Sequence, residues 1–181
     1  MSGARKWLLS AALVAGLWGG AARAEEALGD VLELAFGKLR LKEAGGAELA
    51  LAVTQRETRY QPDTWRPAAG DRVSVAYTRS EGRRGPVLTA TLVKLLKAGA
   101  NSLADLKSPA EVAVLGFGRS GLKAEISGRR KVTFLPHAGT VYLPAGWQPA
   151  AGQQAHVEFR IQPAKVGFGL VYLADKVEKL D

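Results

Sequence analysis

The chain repeats itself, and this limits its possible folds more than any other feature. Trp65-Arg66-Pro67-Ala68-Ala69-Gly70 returns 82 residues later as Trp147-Gln148-Pro149-Ala150-Ala151-Gly152. The same offset pairs Val75 with Val157, Tyr77 with Phe159, Gly85 with Gly167, Leu88 with Leu170, Lys94 with Lys176 and Lys97 with Lys179. Upstream, at an offset of 81, Leu34-x-Phe36-Gly37-Lys38 matches Leu115-x-Phe117-Gly118-Arg119, and Leu41-Lys42 matches Leu122-Lys123. A period of this length marks a duplicated structural unit. The repeat divides the chain into a first module over residues 25–98, a linker over 99–110 rich in Gly, Asn, Ser and Pro, and a second module over 111–181.

Each module reads as strands. Val73, Val75 and Tyr77 alternate with polar neighbours, as do Val157, Phe159 and Ile161. Alternation of this kind is the mark of a half-buried strand. Val87–Val93 and Leu170–Leu173 give the next strand, and Glu48–Thr54 and Lys131–Leu135 an earlier one. Phe36–Lys42 and Phe117–Lys123 are expected to open the modules. Short extended pieces at Arg59-Tyr60 and Val141-Tyr142 precede the Pro-Ala-Ala-Gly turns. About five short strands per module, separated by Gly and Pro turns, predict an all-β chain of two tandem small antiparallel barrels.

Two segments compete with that reading. Ser108-Pro109-Ala110-Glu111 has the form of a helix start, with a Ser cap, a Pro in the first turn and a Glu three residues on. Leu28, Val31, Leu32 and Ala35 stand at helical spacing. The two stretches are repeat mates. Val112–Leu115 is expected to be extended, and Glu25–Leu34 stays open between helix and strand.

The C-terminal half of each module resembles the cold-shock type of OB domain. The carriers are Gly70-Asp71-Arg72-Val73-Ser74-Val75, Arg83-Arg84-Gly85-Pro86 and Val93-Lys94-Leu95-Leu96, with Gly152-Gln153-Gln154-Ala155-His156-Val157-Glu158-Phe159 in module two. Gly116-Phe117-Gly118 and Val132-Thr133-Phe134-Leu135-Pro136-His137 are similar to the family's two aromatic nucleic-acid-binding motifs. In module one Leu49-Ala50-Leu51 stands in place of the second. The layout is also similar to OB-like repeats of unknown function in exported bacterial proteins. The resemblance implies OB-like barrels and a ligand face framed by loops.

The N-terminus has the order of an export signal. Arg5 and Lys6 precede an uncharged apolar run from Trp7 to Ala21, and Ala22-Arg23-Ala24 follows. A basic start, an apolar stretch shorter than the roughly 20 residues of a membrane span, and an Ala-x-Ala end predict a signal peptide over residues 1–24. Its removal leaves 157 residues with 22 basic and 17 acidic side chains, a periplasmic or secreted product of net charge +5. There is no Cys, so packing must carry stability where disulfides would survive.

The motifs that carry chemistry in other chains are incomplete in this one. Gly116-Phe117-Gly118-Arg119-Ser120-Gly121 has the glycines of a dinucleotide loop, but no acid follows about 20 residues on to hold a ribose. Ser120-Gly121-Leu122-Lys123 has the spacing of an acylating Ser-x-x-Lys pair without its partner motifs. His137 and His156 are the only histidines, and without Cys they make no zinc site unless carboxylates join them. No catalytic residue, cofactor or metal is expected.

Charge says more. Basic residues gather in turns: Arg79, Arg83 and Arg84 in module one, Arg129, Arg130 and Lys131 in module two. These loops would border an OB ligand face, with Phe134 and Trp147 as stacking surfaces if exposed. The expected function is a non-enzymatic binding or structural module of the bacterial envelope, taking an anionic or glycan-like polymer or a protein partner. The alternative is single-stranded nucleic acid binding.

Overall fold

The computed structural model describes residues 24–83 and 85–180. The expected signal peptide lies outside them apart from Ala24, and Arg84 also lies outside. Eleven strands follow in order: β1 (Ala24–Ala35), β2 (Lys38–Glu43), β3 (Glu48–Ala52), β4 (Arg59–Gln61), β5 (Arg72–Gly82), β6 (Gly85–Lys97), β7 (Ala110–Gly118), β8 (Gly121–Ile126), β9 (Arg130–Leu143), β10 (Gln154–Pro163) and β11 (Leu170–Leu180). A single 3-10 turn, Ser127–Arg129, joins β8 to β9.

These strands form two tandem OB-like barrels. In the second, the closed order is β10-β11-β9-β8-β7. In the first, the order is β3-β2-β1-β5-β6-β4, and the pair Ala52↔Thr89 joins β3 to β6 to close it. The first barrel has six strands because the segment that runs unbroken as β9 is interrupted there into β3 and β4. The closing seam is parallel in both, while the other pairings are antiparallel.

The helix-like spacing at Leu28–Ala35 gives way to strand. Its neighbour β5 offers seven residues of pairing, Ala24↔Thr78 to Asp30↔Arg72, and seats Ala27 and Val31 in the core. The helix start at Ser108 is also overruled. Ser108 Oγ accepts a hydrogen bond from Phe159 N at 2.8 Å, and the Ser108–Pro109 bond is cis. Each module therefore opens one strand earlier than Phe36 and Phe117 suggested. Phe36 lies in the β1–β2 turn and Phe117 near the end of β7.

The geometry corrects the register of the duplication. Leu39 pairs with Leu51 as Leu122 pairs with Phe134, an offset of 83 where the sequence match gave 81. Val75 pairs with Val93 as Val157 pairs with Val177, so the last strand is offset by 84 and not 82. Both errors are two residues. A two-residue slip along a strand keeps every side chain on its own face, so the wrong register still aligns apolar with apolar. The middle of the repeat holds at 82. Val31 N donates to Asp71 O and accepts from Gly70 N at its carbonyl; Val114 makes the same reciprocal pair with Gln153 and Gly152.

Trp65 and Trp147 occupy equivalent places. Trp65 Nε1 and Ala68 N both donate to Asp71 Oδ2, each at 2.9 Å. Trp147 Nε1 and Ala150 N both donate to Gln153 Oε1, at 3.2 and 2.9 Å. Each polar side chain thus ties down its own Pro-Ala-Ala-Gly turn. Leu39, Leu41, Leu51, Trp65, Val75 and Val93 fill the first core; Val112, Leu122, Phe134, Val157 and Val177 fill the second. Each such side chain contributes roughly 1.5–3 kcal/mol by burial.

The barrels touch through two segments. The linker adds Ala104 to the first core and Leu103 and Leu106 to the second. Its Gly99 N donates to Asp71 Oδ1 at 2.7 Å. A Cβ on Gly99 would lie 2.5 Å from the Gly70 carbonyl, so only glycine fits. The β10–β11 loop crosses to the first barrel. Phe168 packs against that core, its carbonyl accepts from Arg66 Nε at 2.9 Å, and the Gly167 carbonyl accepts from Gln55 Nε2.

Candidate functional site

The charged turns separate into two places. Arg79 and Arg83 lie on the β5–β6 hairpin of the first barrel, where Arg79 Nε is 4.0 Å from Glu25 Oε1 and Arg83 is exposed. Arg129, Arg130 and Lys131 lie where β8 turns into β9. No ion pair or hydrogen bond among the described residues joins the two groups.

Within the second group the side chains diverge. Gly128 and Arg129 both have positive φ, 77° and 61°, and Arg129 is exposed. Arg130 turns inward, with only 13% of its side chain exposed. Its Nη1 donates to Ser102 O at 2.6 Å and to Asp105, and its Nε to Ser127 O at 3.0 Å. Arg130 is thus a clamp between barrel and linker, not a ligand cation. Hydrogen bonding to Arg130 holds the Asp105 carboxyl below its ordinary value of 3.8. A depressed carboxylate pKa gives stability that is present above the unfolded value and lost as pH falls through the folded one. Arg130→Ala, which leaves the Ser102 and Ser127 carbonyls without their guanidinium donor, should cost about 1–2 kcal/mol at neutral pH. Thermal denaturation at pH 7 and pH 3 should show the gap to wild type narrowing in acid.

Lys131 is exposed on the outer face of β9, opposite Glu125 of β8; Lys123 stands opposite Thr133 on the same face. Neither lysine, nor Arg129, forms an ion pair among the described residues. The first barrel treats the same surface differently. By strand register the mates of Gly116, Lys123 and Lys131 are Glu33, Arg40 and Glu48. Arg40 Nη2 lies 2.8 Å from Glu48 Oε2, and Nη1 is 3.6 Å from Glu33 Oε2. On one face the central arginine is paired with both acids. In the other, glycine and lysine replace both acids, although Lys42 becomes Glu125. Sequence reasoning missed Lys123, yet the alternation of Leu122, Lys123 and Ala124 was the signal that places it outward.

The aromatic expectations change. Phe134 is fully buried, with its ring centroid 5.1 Å from that of Phe159 and 6.2 Å from that of Tyr172, so it offers no stacking face. It is the mate of Leu51 and does the same packing work. Trp147 is half-buried against the second core and tethered to Gln153. Phe117 is partly open and meets Tyr142 edge-on at 5.8 Å, but it pairs with Leu122 and so stands on the side of the sheet opposite Lys123.

No known protein family and no curated protein matches the chain. Among solved structures it is similar to drosophila Unr CSD456. The identity is 14%, the match covers 89% of this chain and 63% of that one, and the TM-score is 0.30.

Two further clusters complete the picture. Asp175 accepts from Arg160 Nε at 2.9 Å and faces His137 Nε2 at 3.0 Å. His137 Nδ1 accepts from Gly139 N, so the ring proton sits on Nε2 and points at Asp175. His137 first, then Arg160, lowers the Asp175 pKa. The described residues hold no group of three metal-ligating side chains. Between the barrels lies an open cleft of about 460 Å³, bordered by Thr54, Arg59, Tyr60, Asp63, Arg66 and Lys165. The Arg66 guanidinium sits 4.2 Å from the centre of the Tyr60 ring, and burial pushes the Tyr60 hydroxyl up and Arg66 down.

Proposed function

We propose that the protein is an exported, non-enzymatic binding module of the bacterial envelope that holds an anionic polymer on the outer β8–β9 face of its second barrel. The observation that carries this is the exchange of Glu33, Arg40 and Glu48 for Gly116, Lys123 and Lys131 at matching positions. The same scaffold pairs its central arginine with two acids in one barrel and, among the described residues, leaves the corresponding lysine without an ion pair in the other. Arg129 adds a third cation at the rim. Export rests on the order of basic, apolar and small residues at the N-terminus. Mass spectrometry of periplasmic protein should find Glu25 as the first residue.

Acidic polysaccharide fits better than single-stranded nucleic acid. Sequence-tolerant binding of single strands relies on exposed aromatic stacking, and here Phe134 is buried and Trp147 is tethered. The test is a titration of acidic polysaccharide and of labelled oligonucleotide at low and moderate salt. Replacing Lys123, Arg129 and Lys131 by Ala should weaken binding about tenfold or more and flatten its salt dependence, since each lost contact retains counterions on the polymer. Binding that ignores both salt and these substitutions would refute the reading. Tighter binding of the oligonucleotide would favour the nucleic-acid alternative.

A further inference from the structure

The β1–β2 turn breaks a rule. Ala35 pairs with Lys38, which leaves Phe36 and Gly37 as a two-residue loop with φ of 48° and 73°. A loop with both residues at positive φ favours Asn-Gly or Gly-Gly, because a bulky side chain is strained there. Here the strained position holds a phenylalanine with 102% relative exposure. It gains no burial in return. At the matching turn the second barrel carries Arg119 and Ser120, which are ordinary surface residues.

A second apolar tip stands nearby. Val166, 89% exposed, crowns the β10–β11 loop. Two residues on, Phe168 plugs the first barrel, and its ring lies 3.4 Å from where a Cβ on Gly37 would be. Docking of the two barrels thus brings both loops to one end of the molecule, Phe36 and Val166 flanking Phe168. Lys38, Arg56 and Lys165 are exposed around them, with Glu57 and Asp63 as nearby acids. None of these cations forms an ion pair among the described residues.

We propose that this end of the molecule binds the surface of an anionic lipid bilayer, with Phe36 and Val166 inserted among the acyl chains and Lys38, Arg56 and Lys165 against the headgroups. Protruding apolar side chains ringed by Lys and Arg match a bilayer surface in shape and charge. A protein partner would need a pocket for each of two separate tips. Strain of the kind seen at Phe36 persists at sites that use it.

The experiment is co-sedimentation with vesicles of phosphatidylglycerol and phosphatidylcholine, and with vesicles of phosphatidylcholine alone. Wild type should bind the anionic vesicles, and the neutral ones more weakly. Phe36→Asn should weaken vesicle binding about tenfold or more, the factor expected when one aromatic side chain no longer leaves water. It should also hold or raise the melting temperature, because Asn tolerates positive φ. Val166→Ser should weaken binding as well, and Phe36→Trp should retain it. Neither tip variant should alter polysaccharide binding, which separates this surface from the β8–β9 face. No binding of wild type to anionic vesicles, or binding undiminished in both tip variants, would overturn the proposal. So would vesicle binding that is lost only with Lys123, Arg129 and Lys131.

Discussion

Asp71→Ala should cost the first barrel about 3–5 kcal/mol, with the loss read as a fall in melting temperature and in the urea midpoint. The carboxylate is fully buried and accepts from Trp65 Nε1, Ala68 N and Gly99 N. Alanine would leave these donors unpaired in a site closed to water, and a buried donor without a partner costs about 1–3 kcal/mol. Gln153→Ala is the internal control. Gln153 does the same work for Trp147 and Ala150 in a more open setting, and among the described residues it makes no side-chain hydrogen bond to the linker. Its loss should be about 1–2 kcal/mol. Equal effects at the two positions would show that the linker contact through Gly99 contributes nothing.

Phe168→Ala should loosen the pair of barrels and cost about 2–3 kcal/mol, less than a fully buried phenylalanine because the ring is only partly covered. The expected signature is more than a lower midpoint. The two barrels should begin to unfold separately, and protease should cut the linker near Asn101. Arg66→Ala, which removes the bond to the Phe168 carbonyl and the cover over the Tyr60 ring, should move the same way by a smaller amount. A single cooperative transition unchanged in Phe168→Ala would mean that the linker alone couples the modules.

The sequence made the duplication visible because Trp, Pro and Gly are constrained at the turns. Trp65 and Trp147 each need a hydrogen-bond partner at one fixed distance along the chain, so the offset of 82 survives there. Along the strands only polarity is constrained, and Leu122 could be matched to Leu41 in place of its true mate Leu39 without violating any pattern. The helical spacing of Leu28, Val31 and Ala35 leaves helix and strand both open for a similar reason. Local periodicity does not know that β5 stands ready to pair with that segment. Arg130 was unreadable as a clamp because its partners, Ser102 and Asp105, lie in a linker whose path no residue pattern reveals. The cold-shock resemblance makes Phe134 a stacking surface only if it is exposed, and it is buried. Its own alternation with Thr133 already placed it on the side of Val132, facing the core.

Contact between the modules has a direction. The second barrel is the donor: its β10–β11 loop is long enough to leave its own sheet, and Phe168 is the plug. The first barrel is the acceptor, and Arg66 is the latch. Neither role is duplicated. The sequence between β5 and β6 of the first barrel holds no aromatic to act as a plug, while the position of Arg66 is filled by Gln148 in the second barrel. A swapped order of modules would therefore set a barrel without a plug against one without a latch. Module order decides which barrel gives and which receives, and the contact is polar in the chain sense: the plug comes after the latch.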